Sequence, residues 1–263
     1  MRGTWNGYFN LKVIYMVYDV LIIGAGIIGS AVAYELSKYD LNICVCERFN
    51  DVGNGATKAN SAVLHAGFDC SPSKRKARLN VEGARLAKEI CKKLDVKRRE
   101  LPSLVLAFND ADMKMLEVLY HRGIQNGVED IKILTRQKAM EIEPNINPHI
   151  AGALYAPAAI VDPWEYAVAM SETASVNGVD FFFSEKVEAI KKRELHFEVK
   201  TSKSNYKTRY IVNAAGAFGS DVYSLVKENK YVQTNRCGQY FVLDKSQSSI
   251  VNSIIFQCPT EKG

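Results

Sequence analysis

The sequence predicts an α/β fold in which a three-layer domain with a parallel sheet is interleaved with a smaller α+β domain. Near the start of the chain, an apolar run at 18–23 is followed by three glycines, a helical pattern at 27–38 and a second apolar run at 41–46. Much later, the stretch "YIVNAAGAFGSDV" at 210–222 again places an apolar run before small residues. Short apolar runs rich in Val and Ile are typical of buried parallel strands. Their alternation with a helix therefore indicates a strand, helix, strand unit to which the chain later returns.

The glycines of "VLIIGAGIIGSAV" follow the pattern G-x-G-x-x-G, at Gly24, Gly26 and Gly29. Gly24 permits a tight turn, Gly26 lets a pyrophosphate approach the backbone, and Gly29 allows the helix to pack closely on the strand. A pyrophosphate would then lie at the N-terminus of the helix, where N–H groups and the helix dipole favour an anion. The turn therefore predicts a nucleotide-binding unit.

An acidic residue supports this prediction. Glu47 ends the second strand, eighteen residues after Gly29, and is placed to accept hydrogen bonds from the adenosine ribose hydroxyls. Its negative charge argues against the 2′-phosphate of NADP. The alternative is a purely structural glycine turn with Glu47 solvated at the strand end. The agreement of turn, helix and acid favours the nucleotide site.

Composition limits the function classes. The chain has 263 residues, of which 47% are hydrophobic and 24% are charged, as in an ordinary globular protein of one large or two modest domains. The net charge of +5 is a mild excess that suits a small anionic substrate. Since no long basic run with interleaved aromatic residues occurs, we expect no nucleic-acid partner.

Cysteine usage and the N-terminus bear on location. The six cysteines form no C-x-x-C pair, so we expect neither a metal site nor a two-cysteine redox motif. Cys44 and Cys46 alternate with apolar residues and are interpreted as buried thiols, which suits a reducing, cytoplasmic compartment. The apolar region at 11–36 is interrupted by charges and glycines and is not expected to span a membrane. Residues 1–15 lack the pattern of a signal peptide and are expected to be an N-terminal extension.

The remaining pattern divides the chain into alternating segments. A long polar loop at 50–73 has the composition of a functional loop. Helices are predicted at 74–94, 110–126 and 164–177, with a short one that ends at Pro144, and strands are predicted in "SLVLAFN", "AGALYAPAAIVDP", "VDFFFS", "KVEAIKKR", "LHFEVKTS" and "YKTRYIVNAAG". We therefore expect the nucleotide domain at 16–100 and 164–229, and the α+β domain at 101–163 and 230–263. The sheet of the α+β domain is expected to be incomplete, with an open edge and exposed apolar surface.

Several motifs taken together resemble a known family. They are "DVLIIGAGIIGSAVAYELS" with Glu47 and Arg48, "ATKANSAVLHAG", "GALYAP", "VDP", "IVNAAG" and "RCGQYFVLDK", in this order from about residue 17 onward. Each alone is weak, and the small residues of "NAAG" are explained equally well by a structural turn. In combination they resemble the FAD-dependent D-amino-acid-oxidase-like superfamily. The resemblance is greatest to its glycerol-3-phosphate dehydrogenase and L-2-hydroxyglutarate oxidase branch, and within that to the anaerobic-type glycerol-3-phosphate dehydrogenases.

This resemblance implies bound FAD rather than NAD, and a Rossmann-like FAD domain beside the α+β substrate domain. By position, the three glycines hold the diphosphate and Glu47 the ribose, while the loop that follows covers the ribityl chain and the flavin ring. The backbone of Val187 meets the adenine. The further cofactor-binding positions implied are Arg48, Thr57, Lys58, Asn60, Ser61, Ala215 and Gly216.

The resemblance also implies oxidation of a small anionic secondary alcohol, glycerol 3-phosphate above all, by hydride transfer to flavin. His65, in the loop near the flavin, is the candidate base, with a histidine hydrogen-bonded to loop backbone as the alternative. Arg236 is the candidate partner for phosphate or carboxylate. Tyr240, on a predicted strand, is either a hydrogen-bond donor to substrate or, the favoured interpretation, a packing aromatic. The electron acceptor is unknown, and the resemblance implies that electrons are passed on at a membrane, through peripheral association or a partner subunit.

Members of this family usually continue for a hundred or more residues beyond the point where "NSIIFQCPTEKG" stands here. Two interpretations therefore stay open. In the first, the chain is an FAD-dependent oxidoreductase that is completed by another chain or recorded short. In the second, it is a truncated, non-catalytic product that binds FAD or only its ADP half. The iron–sulfur segment that some family members carry is not visible here.

Overall fold

A computed structural model describes residues 17–228 and 230–259. Its strands, in chain order, are β1 (Val17–Ile23), β2 (Ile43–Cys46), β3 (Val63–Leu64), β4 (Arg98–Ala107), β5 (Lys132–Thr135), β6 (Gly152–Val161), β7 (Asp180–Phe182), β8 (Val187–Lys192), β9 (Phe197–Thr201), β10 (Asn205–Asn213) and β11 (Ile254–Gln257).

The helices of the described residues alternate with these strands. They are α1 (Ile27–Leu36), α2 (Arg75–Lys93), α3 (Asp110–Asn126), α4 (Arg136–Ile142), α5 (Pro163–Val176) and α6 (Gly219–Ser224), with short 3₁₀ turns at Ala56–Lys58, Gly216–Phe218 and Lys245–Gln247. The sequence patterns predicted α1 to α5, and the bounds differ by at most a few residues. Asn109 begins α3 by accepting the Asp112 N–H at 3.0 Å, and Gly127 ends it in the left-handed conformation with φ +81°.

The contacts divide the chain into two compact units. Unit 1 contains the described residues up to Ser61 together with Pro163–Cys237, and unit 2 contains Ala62–Asp162 together with the described residues from Gly238 onward. Each unit is therefore built from two stretches of chain that are distant in sequence.

Unit 1 is a six-stranded sheet in the order β7-β2-β1-β10-β9-β8. The four strands β7, β2, β1 and β10 are parallel, and β9 and β8 continue the sheet in antiparallel pairing. Because β1 lies between β2 and β10, the carboxyl ends of these three strands meet at one edge. Open parallel sheets bind ligands at such an edge.

Unit 1 is layered as the sequence predicts. On one face of the sheet, Val20 and Ile22 pack in a cluster that includes Ala33 of α1 and Ala174 of α5. Ser171 of α5 donates its hydroxyl to the Ser30 hydroxyl of α1 at 2.9 Å, so the two helices lie side by side. A second cluster joins side chains of β1 and β2 to side chains of β8, β9 and β10, and its members are Tyr18, Leu21, Ile23, Cys44, Cys46, Val187, Ile190, Val199 and Tyr206.

The thiols of Cys44 and Cys46 lie in this second cluster and are 0% and 1% exposed. Burial, with the neighbouring Cys46 as a second cause, raises the pKa of the Cys44 thiol well above its ordinary value. A thiol held in its neutral form is a poor nucleophile and metal ligand. The interpretation of these cysteines as buried packing residues is therefore supported.

Unit 2 is built on a long antiparallel pair. Strands β4 and β6 pair along their whole lengths, from Arg98 opposite Val161 to Ala107 opposite Gly152. The sheet order is β11-β4-β6-β3, with β5 also paired to β6. Helix α3 packs on one face through Leu116 and Leu119, and α4 packs on the other through Ala139.

The boundary between the units differs from the sequence expectation in one place. The sequence placed residues up to 100 in the nucleotide domain, whereas the contacts assign 62–100 to unit 2. The reason is that Val63 and Leu64 pair with β6 and that Arg98–Ala107 forms the central strand β4. The other two boundaries, at 162/163 and 237/238, lie within eight residues of those expected.

One predicted strand is absent from the described structure. The stretch "RCGQYFVLDK" has alternating character, but residues 230–244 form no helix or strand and their side chains are exposed. Its apolar residues include Phe241 and Val242, which are 97% and 93% exposed. A strand requires a neighbour that completes its backbone hydrogen bonds, and no described strand pairs with this stretch. The expectation that unit 2 leaves apolar surface exposed is met here.

Candidate functional site

The site is assembled at the carboxyl edge of β2, β1 and β10 in unit 1. Gly24 leaves β1 with φ +102°, and a Cβ there would lie 2.7 Å from the Ala214 carbonyl oxygen that follows β10. A Cβ on Gly29 would overlap the Gly24 carbonyl oxygen. Both positions therefore require glycine for the turn itself, in one case for its left-handed conformation and in the other for close packing of α1.

Gly26 is different, because its backbone has an ordinary extended conformation with φ −74°. A Cβ at Gly26 would meet only the Thr57 Oγ1 atom, at 3.2 Å. The space above Gly26 is thus open except for one side chain. Such an opening lets a ligand approach the first turn of α1, which is the role that the sequence predicted for this glycine.

Thr57 completes the N-terminus of α1. No side chain of the helix caps this end, and the Ile27 N–H instead donates to the Thr57 Oγ1 at 2.9 Å. Thr57 is itself buried, and the loop that carries it is tied back through the Gly53 N–H, which donates to the Ala25 carbonyl oxygen at 2.9 Å. The structure therefore places Thr57 beside the glycine turn, where its hydroxyl oxygen accepts the first N–H of α1.

Glu47 links the ends of β1 and β2. Its side chain is only 6% exposed, and its two oxygens accept the Ala25 N–H at 2.6 Å and the Phe49 N–H at 2.8 Å. A carboxylate has about four acceptor sites, so each oxygen keeps capacity for a further donor. The alternative of a merely solvated acid at the strand end is therefore wrong. Glu47 shapes the turn, and its remaining acceptor capacity fits ribose hydroxyls.

Arg48 lies between two aromatic rings. Its guanidinium carbon is 4.4 Å from the Phe49 ring centre and 3.9 Å from that of Phe218, which follows β10. Cation–π contacts of this length fix the orientation of the guanidinium. Because β2 and β10 lie on opposite sides of β1, the Arg48 side chain reaches across the edge of the sheet on which the glycine turn lies.

Sequence reasoning did not identify Phe218 or the buried Glu185. Phe218 follows "NAAGA" without any pattern that distinguishes it from a packing aromatic. Glu185 is 7% exposed and its Oε2 accepts the hydroxyls of Thr201 and Tyr206 at 2.6 and 2.8 Å. An acid in "SEKVEAI" looks like any exposed acid at a strand end, so the sequence carries no signal for it.

Glu185 fixes the connection between β7 and β8. Its N–H donates to the Glu47 carbonyl oxygen at 2.8 Å, so the segment before Val187 lies against the end of β2. Burial, together with the hydrogen bond to Glu185, raises the pKa of Tyr206. Val187 begins β8, is 8% exposed and precedes a register shift in its pairing with β9. The structure thus brings Val187 and Glu47 to the same corner of unit 1.

Two other predicted positions follow β10. The Ala215 N–H is held by the Asn213 side-chain oxygen at 3.2 Å. Gly216 has φ +55°, and a Cβ there would meet nothing within 4 Å. Backbone without side-chain cover therefore lies at the ends of both β1 and β10. That is the arrangement needed for an extended dinucleotide to approach the sheet edge closely.

The loop after β2 divides between the units. In unit 1, Lys58 donates to the Asn54 side-chain oxygen at 2.9 Å, and Asn60 donates to the Thr57 carbonyl oxygen at 2.7 Å. Ser61 is exposed and is the last residue of this part of unit 1. His65 belongs to unit 2 and has an exposed imidazole. Among the described residues none donates to or accepts from its ring nitrogens, so the alternative of an imidazole bonded to loop backbone does not hold.

Arg236 and Tyr240 are not gathered into a site within their units. Both lie in the exposed 230–244 stretch, and the Tyr240 side chain is 63% exposed. The expectation of Tyr240 on a strand is wrong, for the reason given above, and so is its interpretation as a packing aromatic, since it is not buried. Neither residue has a position from which a role in substrate binding follows directly.

The described part of the chain has no metal-binding cluster and no membrane-spanning helix. Across residues 17–228 and 230–259 no cluster of three His, Cys, Asp or Glu side chains is suited to hold a metal ion. Over the same residues, no helix combines the length and the apolarity that crossing a bilayer requires.

The residues present fit an FAD dinucleotide at this edge. Open backbone above Gly26 and Gly216, the first turn of α1 and the acceptor capacity of Glu47 match the needs of a diphosphate and a ribose. Glu47, Arg48, Thr57 and Val187 lie around the same edge. Mutual placement of these residues is thus consistent with one extended cofactor.

Comparison with known proteins gives the same answer. The chain is 46% identical over 248 residues to a glycerol 3-phosphate dehydrogenase from Caloramator mitchellensis, which covers 94% of this chain and 52% of that protein. It is 28% identical over 264 residues to a mitochondrial L-2-hydroxyglutarate dehydrogenase from Nematostella vectensis. That match covers 92% of this chain and 57% of the relative. The chain thus spans little more than half the length of these relatives.

A solved structure and a family model complete the comparison. The structure is the dithionite-reduced L-alpha-glycerophosphate oxidase from Mycoplasma pneumoniae with FAD bound, which has a TM-score of 0.79 and 28% identity and covers 94% of this chain and 66% of its own. The family model is the one described as FAD dependent oxidoreductase, and it matches residues 19–262 of this chain. With the geometry of the sheet edge, these matches show that the chain belongs to the family of FAD-dependent oxidoreductases.

Proposed function

We propose that this chain binds FAD at the carboxyl edge of unit 1 and acts in the oxidation of glycerol 3-phosphate to dihydroxyacetone phosphate. The observation that carries the cofactor part is the meeting of open glycine backbone, the α1 N-terminus and the Glu47 carboxylate at one sheet edge. The relatives named glycerol 3-phosphate dehydrogenase and glycerophosphate oxidase support the substrate part.

The chemistry divides between the cofactor and the chain. When bound, FAD supplies the acceptor for the hydride that leaves the secondary alcohol carbon. The chain has to bind the cofactor, place the alcohol and remove the hydroxyl proton. Gly26 and the first turn of α1 would hold the diphosphate, Glu47 would accept the ribose hydroxyls, and Arg48 would lie beside them.

His65 is the proposed base for the hydroxyl proton. Its imidazole is exposed, and none of the described residues hydrogen-bonds to its ring nitrogens. A general base needs a nitrogen that is free to accept the proton, within hydrogen-bond reach of the alcohol. Arg236 is the proposed cation for the phosphate, because a guanidinium matches phosphate geometry with two hydrogen bonds. This role requires that the exposed 230–244 stretch contact the substrate.

Relatives named L-2-hydroxyglutarate dehydrogenase favour a second candidate substrate. L-2-hydroxyglutarate is also a small anionic secondary alcohol, and a 28% identical relative carries its name. The same base and the same cofactor would serve both oxidations, so only the groups that bind the anionic tail decide between them. An electron acceptor, reached at a membrane surface or supplied by a partner subunit, is a further part of the proposal.

The experiment is an absorption spectrum followed by anaerobic addition of substrate. Purified protein with stoichiometric flavin bands would support the cofactor proposal, and bleaching of those bands by glycerol 3-phosphate but not by L-2-hydroxyglutarate would support the substrate. Bleaching by L-2-hydroxyglutarate alone would reverse the substrate assignment. A colourless protein that cannot be reconstituted with FAD would contradict the proposal and favour a non-catalytic product.

A further inference from the structure

The His65 imidazole is stacked on another ring of unit 2. Its centre lies 5.6 Å from that of the Phe256 ring, and the two planes differ by 29°. His65 directly follows β3, whereas Phe256 belongs to β11, almost two hundred residues later. Phe256 is half-buried and packs on the cluster between α3 and the sheet. The histidine ring therefore rests on a side chain that is itself held by the core of unit 2.

The backbone of His65 is held from a second direction. Asn80 of α2 donates its side-chain N–H to the His65 carbonyl oxygen at 2.8 Å. Two residues later, Gly67 has φ +101°, and a Cβ there would lie 2.8 Å from a methyl carbon of Val81. Asn126 of α3 donates to the Gly67 carbonyl oxygen at 2.8 Å. The segment after β3 is thus fastened to both α2 and α3.

These contacts fix the ring without occupying its nitrogens. A stack covers one face of an imidazole, whereas both ring nitrogens lie in the ring plane and stay accessible at its edge. Hydrogen bonds from the protein are made to the His65 carbonyl and, in the described residues, not to its imidazole. A base that is to accept a proton from an alcohol needs this combination of a fixed plane and an available nitrogen.

We infer that Phe256 and Asn80 are positioning residues for His65, with Phe256 setting the ring plane and Asn80 the backbone from which the ring projects. The inference rests on the proposed function for the role of His65 as a base. The positioning itself rests only on contacts within unit 2. The two can therefore be tested separately.

The first test measures the ring directly by NMR of the FAD-loaded protein labelled with ¹³C at histidine Cε1. The chain has four histidines, so the His65 signal is assigned by its loss in His65→Gln. In the wild-type protein, the ring current of Phe256 should shift the His65 signal upfield, since the two rings are stacked. We expect Phe256→Leu to move this one signal downfield and Phe256→Tyr, which keeps the ring, to retain the upfield position. Phe108→Leu, the same change at an exposed residue of unit 2, should leave it in place.

The second test measures the rate constant for anaerobic reduction of bound FAD by glycerol 3-phosphate. Misplacement of a catalytic group lowers the rate rather than the binding of substrate, so we expect Phe256→Leu to lower the maximal reduction rate about 10-fold with little change in half-saturation. Phe256→Tyr should restore most of the rate.

The outcomes separate the inference from the proposed function. An unchanged His65 signal in Phe256→Leu, or an unchanged reduction rate in a protein where His65→Gln is inactive, overturns the positioning inference. If His65→Gln reduces FAD as fast as wild type while the NMR shift is as expected, the assignment of His65 as base is what fails. A downfield shift with a slower reduction supports both.

Discussion

The Glu47 carboxylate at the end of β2 accepts the Ala25 N–H of the glycine turn at 2.6 Å. The residue proposed to bind ribose therefore also holds the turn that receives the diphosphate. In Glu47→Gln the amide nitrogen cannot accept a hydrogen bond, so either Ala25 or Phe49 loses its acceptor. We expect FAD binding to weaken by about 1 to 3 kcal/mol, the scale of hydrogen bonds to charged groups. Isothermal titration calorimetry measures the change.

A matched control exists on α1. Glu35 pairs with Lys38 at 2.7 Å on the exposed surface, and such pairs contribute little. Glu35→Gln should leave FAD affinity unchanged. Equal affinities of Glu47→Gln and wild type for FAD would show that Glu47 does not contribute to cofactor binding.

Gly26 and Gly29 of the turn should respond differently to alanine. Gly29→Ala places a Cβ on the Gly24 carbonyl oxygen and should lower the free energy of unfolding so far that little folded protein is obtained. Gly26→Ala meets only the Thr57 hydroxyl at 3.2 Å, so the protein should fold with a modest loss of stability. Its Cβ would nevertheless occupy the space through which a diphosphate approaches α1. We expect it to lose FAD binding.

Thermal unfolding and a flavin-binding titration of the same preparations check this contrast. A folded Gly26→Ala protein that binds FAD as tightly as wild type would show that the diphosphate does not approach this turn.

The contact between Arg48 and Phe218 should contribute to cofactor affinity by keeping the guanidinium in place. Phe218→Leu removes one of the two rings, whose centre is 3.9 Å from the guanidinium carbon. Cation–π contacts at accessible sites contribute about 0.5 to 1 kcal/mol, so the Kd for FAD should rise about 2- to 5-fold. Phe218→Tyr keeps the ring and should bind as wild type does. Flavin fluorescence quenching gives both constants, and tighter binding in Phe218→Leu would mean that the stack competes with the cofactor.

Unit 1 should lose stability in alkali. Burial and the hydrogen bonds to Asp180 and Glu185 raise the pKa values of Tyr18 and Tyr206 in the folded state. In the unfolded chain a tyrosine ionises near pH 10. Their stabilising contribution is therefore complete below about pH 10 and is lost as the pH rises toward the folded pKa, by about 1.4 kcal/mol per pH unit for each tyrosine.

Denaturant unfolding at several pH values above 10 tests this. Tyr206→Phe should have a shallower alkaline slope than wild type, whatever its stability at neutral pH. Tyr210→Phe, at a residue 68% exposed, serves as the control and should keep the wild-type slope. Identical slopes in Tyr206→Phe and wild type would contradict the linkage.

The isolated chain should show little or no multiple turnover with FAD, glycerol 3-phosphate and a tetrazolium dye. Arg236 and Tyr240 lie in the exposed 230–244 stretch rather than in an enclosed site, so bound FAD should be reduced slowly, at a rate that anaerobic single-turnover measurement resolves but that gives little dye reduction. The residues that meet at the sheet edge of unit 1 suit the diphosphate and the ribose, so FAD should be held mainly by its ADP half. ADP should therefore compete for the site with an affinity close to that of FAD. Robust dye reduction, or a much weaker binding of ADP than of FAD, would count against this expectation.

Local patterns predicted the strand, turn and helix order of unit 1, because buried parallel strands and glycine turns leave a signature within a few residues. Contacts between residues that are distant in sequence leave no such local signature. Thr57 reaches the α1 N-terminus across thirty residues and Phe218 reaches Arg48 across one hundred and seventy, and nothing near either residue predicts its partner. The contacts divide the chain at Ser61/Ala62 rather than at 100 because Val63 and Leu64 pair with β6, a distant strand for which the local sequence carries no signal. Tyr240 shows the same limit, since alternation predicts a strand only where a neighbouring strand is available.

The pairing of β1 with β10 has a consequence for synthesis on the ribosome. Val17 pairs with Lys207, so 190 residues must be added before β1 acquires its second neighbour. At roughly 5 to 20 residues per second, this takes on the order of 10 to 40 s. During that interval β1 can pair only with β2, and one apolar edge of the nascent chain stays open to association with other chains. The yield of folded protein should accordingly depend on what shields that edge during translation.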